Sequence, residues 1–206
     1  MKLNLVAIAL STLAYFGGAA SGADVAAERD DAALKNAVQT CVTCHGVNGR
    51  SVSPTFPNLA AQTAPYIEAQ LKAFKDQSRS DPDAQAYMWG MASQLSDAMI
   101  GKLAAYFEKQ PGASGKSGNS ALMVSGKRVF EEGLPTQKIP PCATCHGDHA
   151  QGQASFPRLA GQHAPYLLKQ LLVIQNALRN APVMHGVVKD LTRDQMLAVA
   201  AYLESI

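Results

Sequence analysis

The motif Cys-x-x-Cys-His occurs twice, as Cys41-Val42-Thr43-Cys44-His45 and as Cys142-Ala143-Thr144-Cys145-His146, and the two copies use all four cysteines of the chain. On a helical turn, residues three apart share a face. Both thiols of each motif can then reach one edge of a flat ring, with the next residue, histidine, placed to swing beneath it. This is the spacing of covalent c-type haem attachment, in which the thiols take two vinyl groups and the histidine ligates iron. Spacing alone leaves two other uses open: two disulfides in an exported protein, or a zinc site. Neither calls for a histidine directly after both second cysteines. Structural zinc pairs also usually sit closer together than roughly a hundred residues.

The N-terminus reads as an export signal. Lys2 gives a positive start, Leu3 to Phe16 is mostly apolar, and Gly17 to Ala23 is rich in small residues, with Ser21-Gly22-Ala23 as a cleavage site. A signal peptide over residues 1–23 is expected, with an uncleaved N-terminal anchor as the alternative. The apolar run is short for a membrane span, and no other stretch is apolar for long enough. Bacterial c-type attachment takes place outside the cytoplasm, so export and haem agree and place the chain in the periplasm.

Without residues 1–23 the chain carries 17 basic and 16 acidic side chains. The four propionates of two haems would turn that near-neutral balance negative. The distribution is uneven: 8 basic and 10 acidic groups over residues 24–110, then 9 and 6 over residues 111–206. Such a dipole orients a charged partner, although ordinary solvated charge accounts for it equally well. There is no basic run and no interleaving of aromatic with basic residues, so nucleic-acid binding has no support.

The second half of the chain restates the first. Phe56-Pro57-Asn58-Leu59-Ala60-Ala61-Gln62-Thr63-Ala64-Pro65-Tyr66 aligns with Phe156-Pro157-Arg158-Leu159-Ala160-Gly161-Gln162-His163-Ala164-Pro165-Tyr166. The match runs on through Gln70-Leu71 and Gln170-Leu171 to Arg79 and Arg179, then to Leu95-Ser96 with Leu191-Thr192 and Ala105-Tyr106 with Ala201-Tyr202. The period is too long for a solenoid. It predicts a duplicated domain: residues 24–110 and 121–206, joined by 111–120, a Gly- and Ser-rich linker by composition.

Each copy reads as mostly helix. A first helix, Ala32 to Val38 or Leu122 to Phe130, leads toward the motif. A second opens near Pro65 or Pro165, since proline suits the first helical turn; Ile67, Leu71 and Phe74, or Leu167, Leu171 and Ile174, form its apolar stripe. The last starts at a Ser96 or Thr192 N-cap and carries Ile100, Leu103, Ala104 and Phe107, or Met196, Val199, Ala200 and Leu203. No alternating strand stands out. A domain of this size is close to the limit at which a core needs help, and a buried haem supplies it.

Haem iron takes histidine on one side, and methionine on the other suits electron transfer. Superposing the Leu95-Ser96 and Leu191-Thr192 helix starts makes Met88 and Met184 coincide, each seven residues before its leucine. No other methionines match, so this pair is the candidate sixth ligand, with Met91 the alternative for the first haem. His149, His163 and His185 have no histidine counterparts and read as surface or loop residues, although His185, beside Met184, is placed to tune the second haem. Arg79 and Arg179 repeat and suit carboxylates, so they are candidate propionate contacts.

With these residues in view, the chain resembles the cytochrome c4 family, dihaem proteins made of two class I cytochrome c domains. The resemblance rests on both Cys-x-x-Cys-His-Gly motifs, both Phe-Pro-x-Leu-Ala-x-Gln segments, both Tyr-x-x-x-Gln-Leu segments, and Met88 and Met184. It covers essentially all of residues 24–206. The sequence before the second motif, Gly133 to Pro141, departs from the family's pattern. The resemblance implies an all-α fold of two tandem domains about a pseudo-twofold axis, with propionates near the interface. It implies that Cys41, Cys44, Cys142 and Cys145 bind two haems c covalently, with His45 and Met88 on the first iron and His146 and Met184 on the second. It also implies a periplasmic electron carrier rather than an enzyme, often membrane-associated. Its expected partners are a haem–copper terminal oxidase and a quinol-oxidising complex or dehydrogenase. A haem-bearing catalytic subunit, a peroxidase, or an electron-accepting subunit of a periplasmic oxidoreductase is the alternative.

Overall fold

The computed structural model describes residues 22–206; the expected export signal falls almost wholly outside them. Among the described residues every regular element is helical, and the strand-like pairings are two isolated bridges, Leu134 with Ile139 and Gln153 with Phe156. The first copy contains α1 (Gly22–His45), α2 (Ala64–Lys75), α3 (Trp89–Ser93) and α4 (Asp97–Glu108). The second contains α5 (Ser120–Glu132), α6 (Ala143–His146), α7 (Ala164–Gln175), α8 (Pro182–Val188) and α9 (Arg193–Ser205). Residues 34–206 pack as one body. None of the described helices is long and apolar enough to cross a membrane.

Local chemistry sets these boundaries. Pro65 and Pro165 occupy the first turns of α2 and α7, where the missing N–H costs nothing. Ser96 Oγ accepts the Met99 N–H at the start of α4, and Thr192 Oγ1 accepts the Gln195 N–H while Gln195 returns a bond to the Thr192 N–H. The stripes expected on the last helices are the cores. Leu103, Ala104 and Phe107 pack with Val38 and Ile67, Ile100 beside them is fully buried, and Val199, Ala200 and Leu203 pack with Val129, Phe130 and Leu167.

In the second copy, α5 and α9 cross at backbone contact. A Cβ at Gly126 would stand 1.9 Å from the Ala198 carbonyl oxygen. Gly126→Ala must therefore force the helices apart. It is expected to cost about 1–3 kcal/mol, the range for overpacking a filled interface, read as a lower denaturant midpoint at unchanged slope.

Three details differ from expectation. The first helix does not stop near Val38 but runs unbroken through the first motif to His45. In the second copy α5 ends at Gly133 (φ 69°), and Pro140-Pro141, which cannot continue a helix, leave the motif on the four-residue α6. The intervening stretch, a spacer by composition, is laid onto both copies: Arg50 Nε donates to the Pro111 carbonyl at 2.8 Å and the Lys116 N–H donates to the Glu204 carbonyl at 2.8 Å.

Candidate metal centres

Both motif histidines are buried, His45 at 7% and His146 at 6% exposure. Gly46 (φ 76°) and Gly147 (φ 82°) make this possible by turning the chain sharply after each histidine; a Cβ at Gly46 would stand 1.9 Å from the Arg50 carbonyl oxygen. The chain then returns so that His45 Nδ1–H donates to the Pro57 carbonyl and His146 Nδ1–H to the Pro157 carbonyl, both at 2.9 Å. A carbonyl only accepts, so the proton sits on Nδ1 and Nε2 keeps a bare lone pair, the form that ligates iron. Burial lowers the pKa of both rings and favours that neutral form. Phe56 and Phe156 approach the rings edge-on, centroids 6.0 and 6.3 Å away.

The four cysteines are free, and no disulfide joins them. Burial pushes the Cys41 thiol up, and the Cys142 thiol to about 11. Among the described residues no three His, Cys, Asp or Glu side chains gather as a zinc site requires.

A cavity of about 770 Å³ runs continuously from one motif to the other. Its wall includes Cys41, Cys44, His45 and Met88 from the first copy and Cys142, Cys145, His146 and Met184 from the second, with an apolar lining that includes Leu71, Phe74, Leu171 and Ile174. Met88 closes a π-helical turn, Ala84–Met88, and packs against Phe74, Ala84 and Ala92. Met184 lies in α8 against Ile139, Ile174 and Val188. The residue after each methionine anchors it in the same way with different chemistry. Trp89 Nε1–H donates to the Arg79 carbonyl at 2.8 Å, and His185 Nδ1–H to the Ile174 carbonyl at 2.9 Å. Met91 also reaches the cavity wall but is 54% exposed. Met196 is fully buried in the core, and Met99 packs on the first core.

Where the copies meet, Arg79 and Arg179 are both buried and line the cavity. Arg79 donates to Gln70 Oε1, to Gln170 Oε1 of the other copy, and to Asp81 Oδ2 at 2.9 Å. Arg179 donates to Gln170 Oε1, and across the boundary to Gln70 Oε1 and Tyr66 Oη. Burial works against the Arg79 cation, but the oxygens of Tyr166, Tyr66 and Asp81 outweigh it and hold its pKa above the ordinary value. The bonds of Arg179 go to neutral oxygens, and the buried Gln170 Nε2 has no acceptor. The cluster is short of an anion, which suits haem propionates.

Expectation fails for one histidine. His163 is 2% exposed: its Nε2 lies 3.0 Å from the Ser51 carbonyl of the first copy, and its Nδ1 3.7 Å from Glu204. The Thr63 counterpart gave no hint of burial. His149 is exposed and His185 half-buried.

A family model for cytochrome c matches residues 31–110 and again 123–206. The solved cytochrome c4 of Acidithiobacillus ferrooxidans superposes with a TM-score of 0.77 at 43% identity, covering 81% of this chain and 98% of that one. A cytochrome c4 of Stutzerimonas stutzeri is 35% identical over 190 residues, 86% of this chain and 89% of that protein. The chain belongs to the cytochrome c4 family. A thiosulfate dehydrogenase electron acceptor of Thiomonas intermedia is also similar, 34% identical over 172 residues, 80% of this chain and 77% of that one. As a cytochrome c4, the protein is an electron carrier with two tandem cytochrome c domains and two covalently bound haems c, not an enzyme. The reciprocal contacts of Arg79 and Arg179, each crossing to the other copy's glutamine, are those a pseudo-twofold axis produces.

Proposed function

We propose that Cys41 and Cys44 carry the first haem between His45 and Met88, and that Cys142 and Cys145 carry the second between His146 and Met184. Arg79 and Arg179 then meet propionates at the boundary, within domains spanning 24–110 and 121–206. One observation carries this reading: the cavity wall holds, once per copy, a thiol pair, a histidine with its lone pair on Nε2, and a matched methionine. Bound haem supplies a one-electron ferric–ferrous couple, and methionine ligation raises its potential. The residues do the rest. Pro57 and Pro157 fix the histidine rings, the apolar wall excludes water, and the methionines close the position a substrate would need.

The export pattern and the family support a periplasmic carrier in a respiratory chain, peripherally attached to the membrane. We place a quinol-oxidising complex or dehydrogenase upstream and a haem–copper terminal oxidase downstream. The similarity to a thiosulfate dehydrogenase electron acceptor favours a second reading, in which this protein takes electrons from a periplasmic oxidoreductase. Redox titration with optical detection is expected to show two one-electron steps, both low-spin, and no carbon monoxide binding by the native reduced protein. Stoichiometric carbon monoxide binding would overturn the closed sites and favour catalysis. Rapid-mixing oxidation by a haem–copper oxidase, set beside reduction by thiosulfate dehydrogenase, separates the two placements.

A further inference from the structure

We propose that each axial histidine is positioned by a glutamine of the opposite domain: His45 by Gln162, and His146 by Gln62. The inference deepens the ligation reading above and rests on it. Gln162 reaches across the boundary with both ends of its amide. Its Oε1 accepts the Asn58 N–H at 2.9 Å and its Nε2 donates to the Asn58 carbonyl at 3.0 Å. The Asn58 N–H belongs to the same peptide plane as the Pro57 carbonyl, and that carbonyl accepts the His45 Nδ1–H. A peptide unit is rigid, so holding its N–H fixes where its oxygen points. The sequence Gln162 Oε1, Asn58 N–H, Pro57 carbonyl, His45 Nδ1–H is a continuous hydrogen-bonded chain from the second domain to the first haem's ligand.

The mirror chain is also present. Gln62 Oε1 accepts the Arg158 N–H at 2.7 Å, Gln62 Nε2 donates to the Arg158 carbonyl at 2.9 Å, and the Pro157 carbonyl accepts His146 Nδ1–H at 2.9 Å. Both glutamines are 6% exposed, so water does not compete. Each amide is steadied because its Oε1 also accepts the N–H of the next residue, Thr63 or His163. Bonds in series polarise one another. An acceptor on the peptide N–H makes the proline carbonyl a stronger acceptor, which draws the Nδ1 proton and makes Nε2 a more basic ligand. Such outer contacts tune a metal's potential. Here they make each iron sensitive to whether the other domain is docked.

The test is Gln162→Met in the intact holoprotein, which keeps the length and removes the amide. The readouts are the hyperfine-shifted proton resonances of the two axial histidine rings, assigned through Phe56 and Phe156, and the midpoint potential of each haem. The expected result is a crossed one: the His45 resonances move and the first haem's potential rises, while His146 and the second haem stay near wild type. Gln62→Met should give the reverse. Gln162→Glu keeps an acceptor for the Asn58 N–H and is expected to return the His45 resonances toward their wild-type positions, which also serves if the methionine variant fails to fold. Equal shifts at both haems, a shift only in the substituted domain, or no shift overturns the coupling. Wild-type protein lacking shifted histidine resonances altogether would overturn the ligation reading, and the inference with it.

Discussion

Cys142→Ala with Cys145→Ala is expected to leave one covalent haem per chain and an unfolded second domain. The motif of that domain rides on α6, four residues long. A helix so short has no stability of its own. Thioether bonds to a haem packed against Val129, Leu167, Val199 and Leu203, all in the cavity wall, would hold it in place. If the second haem fills about half of the cavity's 770 Å³, the penalty of about 24 cal/mol per Å³ for an unfilled apolar space comes to roughly 9 kcal/mol. That figure is an upper bound, because solvent enters at the mouth, yet it is comparable with the ~5–15 kcal/mol that stabilises a whole domain. Haem quantitation by the alkaline pyridine spectrum, with far-ultraviolet circular dichroism for helix content, checks both parts. Two covalent haems per chain would refute the attachment.

Met88→Ala and Met184→Ala are each expected to abolish the ferric methionine–iron band of one haem and lower that haem's potential by about 0.1–0.3 V. Axial ligands command a range of roughly 0.8 V across haem proteins, so a drop of this size is a moderate part of it. Each variant opens one iron position, so the reduced protein should gain one carbon monoxide site. Met91→Ala should change none of these, since its exposed side chain lies off the matched position. A band that survives in Met88→Ala but disappears in Met91→Ala would reverse the assignment for the first haem.

What could be read in advance was local or repeated. Thr192 and Gln195 form their cap within four residues, and Pro65 marks the start of α2 on its own. Met88 and Met184 stood out because the repeat removed the other methionines. Features that depend on a partner about a hundred residues away were not legible. His163 looked like a loop residue because the carbonyl it meets belongs to Ser51. Gln62 and Gln162 were visible as repeated residues, but their partners at 158 and 58 were not. The π-helical turn before Met88 was equally hidden: the first copy has four more residues than the second between arginine and methionine, and periodicity gives no sign of how a helix absorbs them.

Those added residues bring Asp81, 1% exposed and paired with Arg79, whereas no acidic residue stands between Arg179 and Met184. The two halves have therefore stopped being interchangeable. A tandem of two second halves would press two guanidinium groups together with no protein carboxylate between them. The first half brings its own counter-ion to the boundary, while the cation of the second half meets only neutral oxygens there, so that two matching shapes arrive with unequal charge.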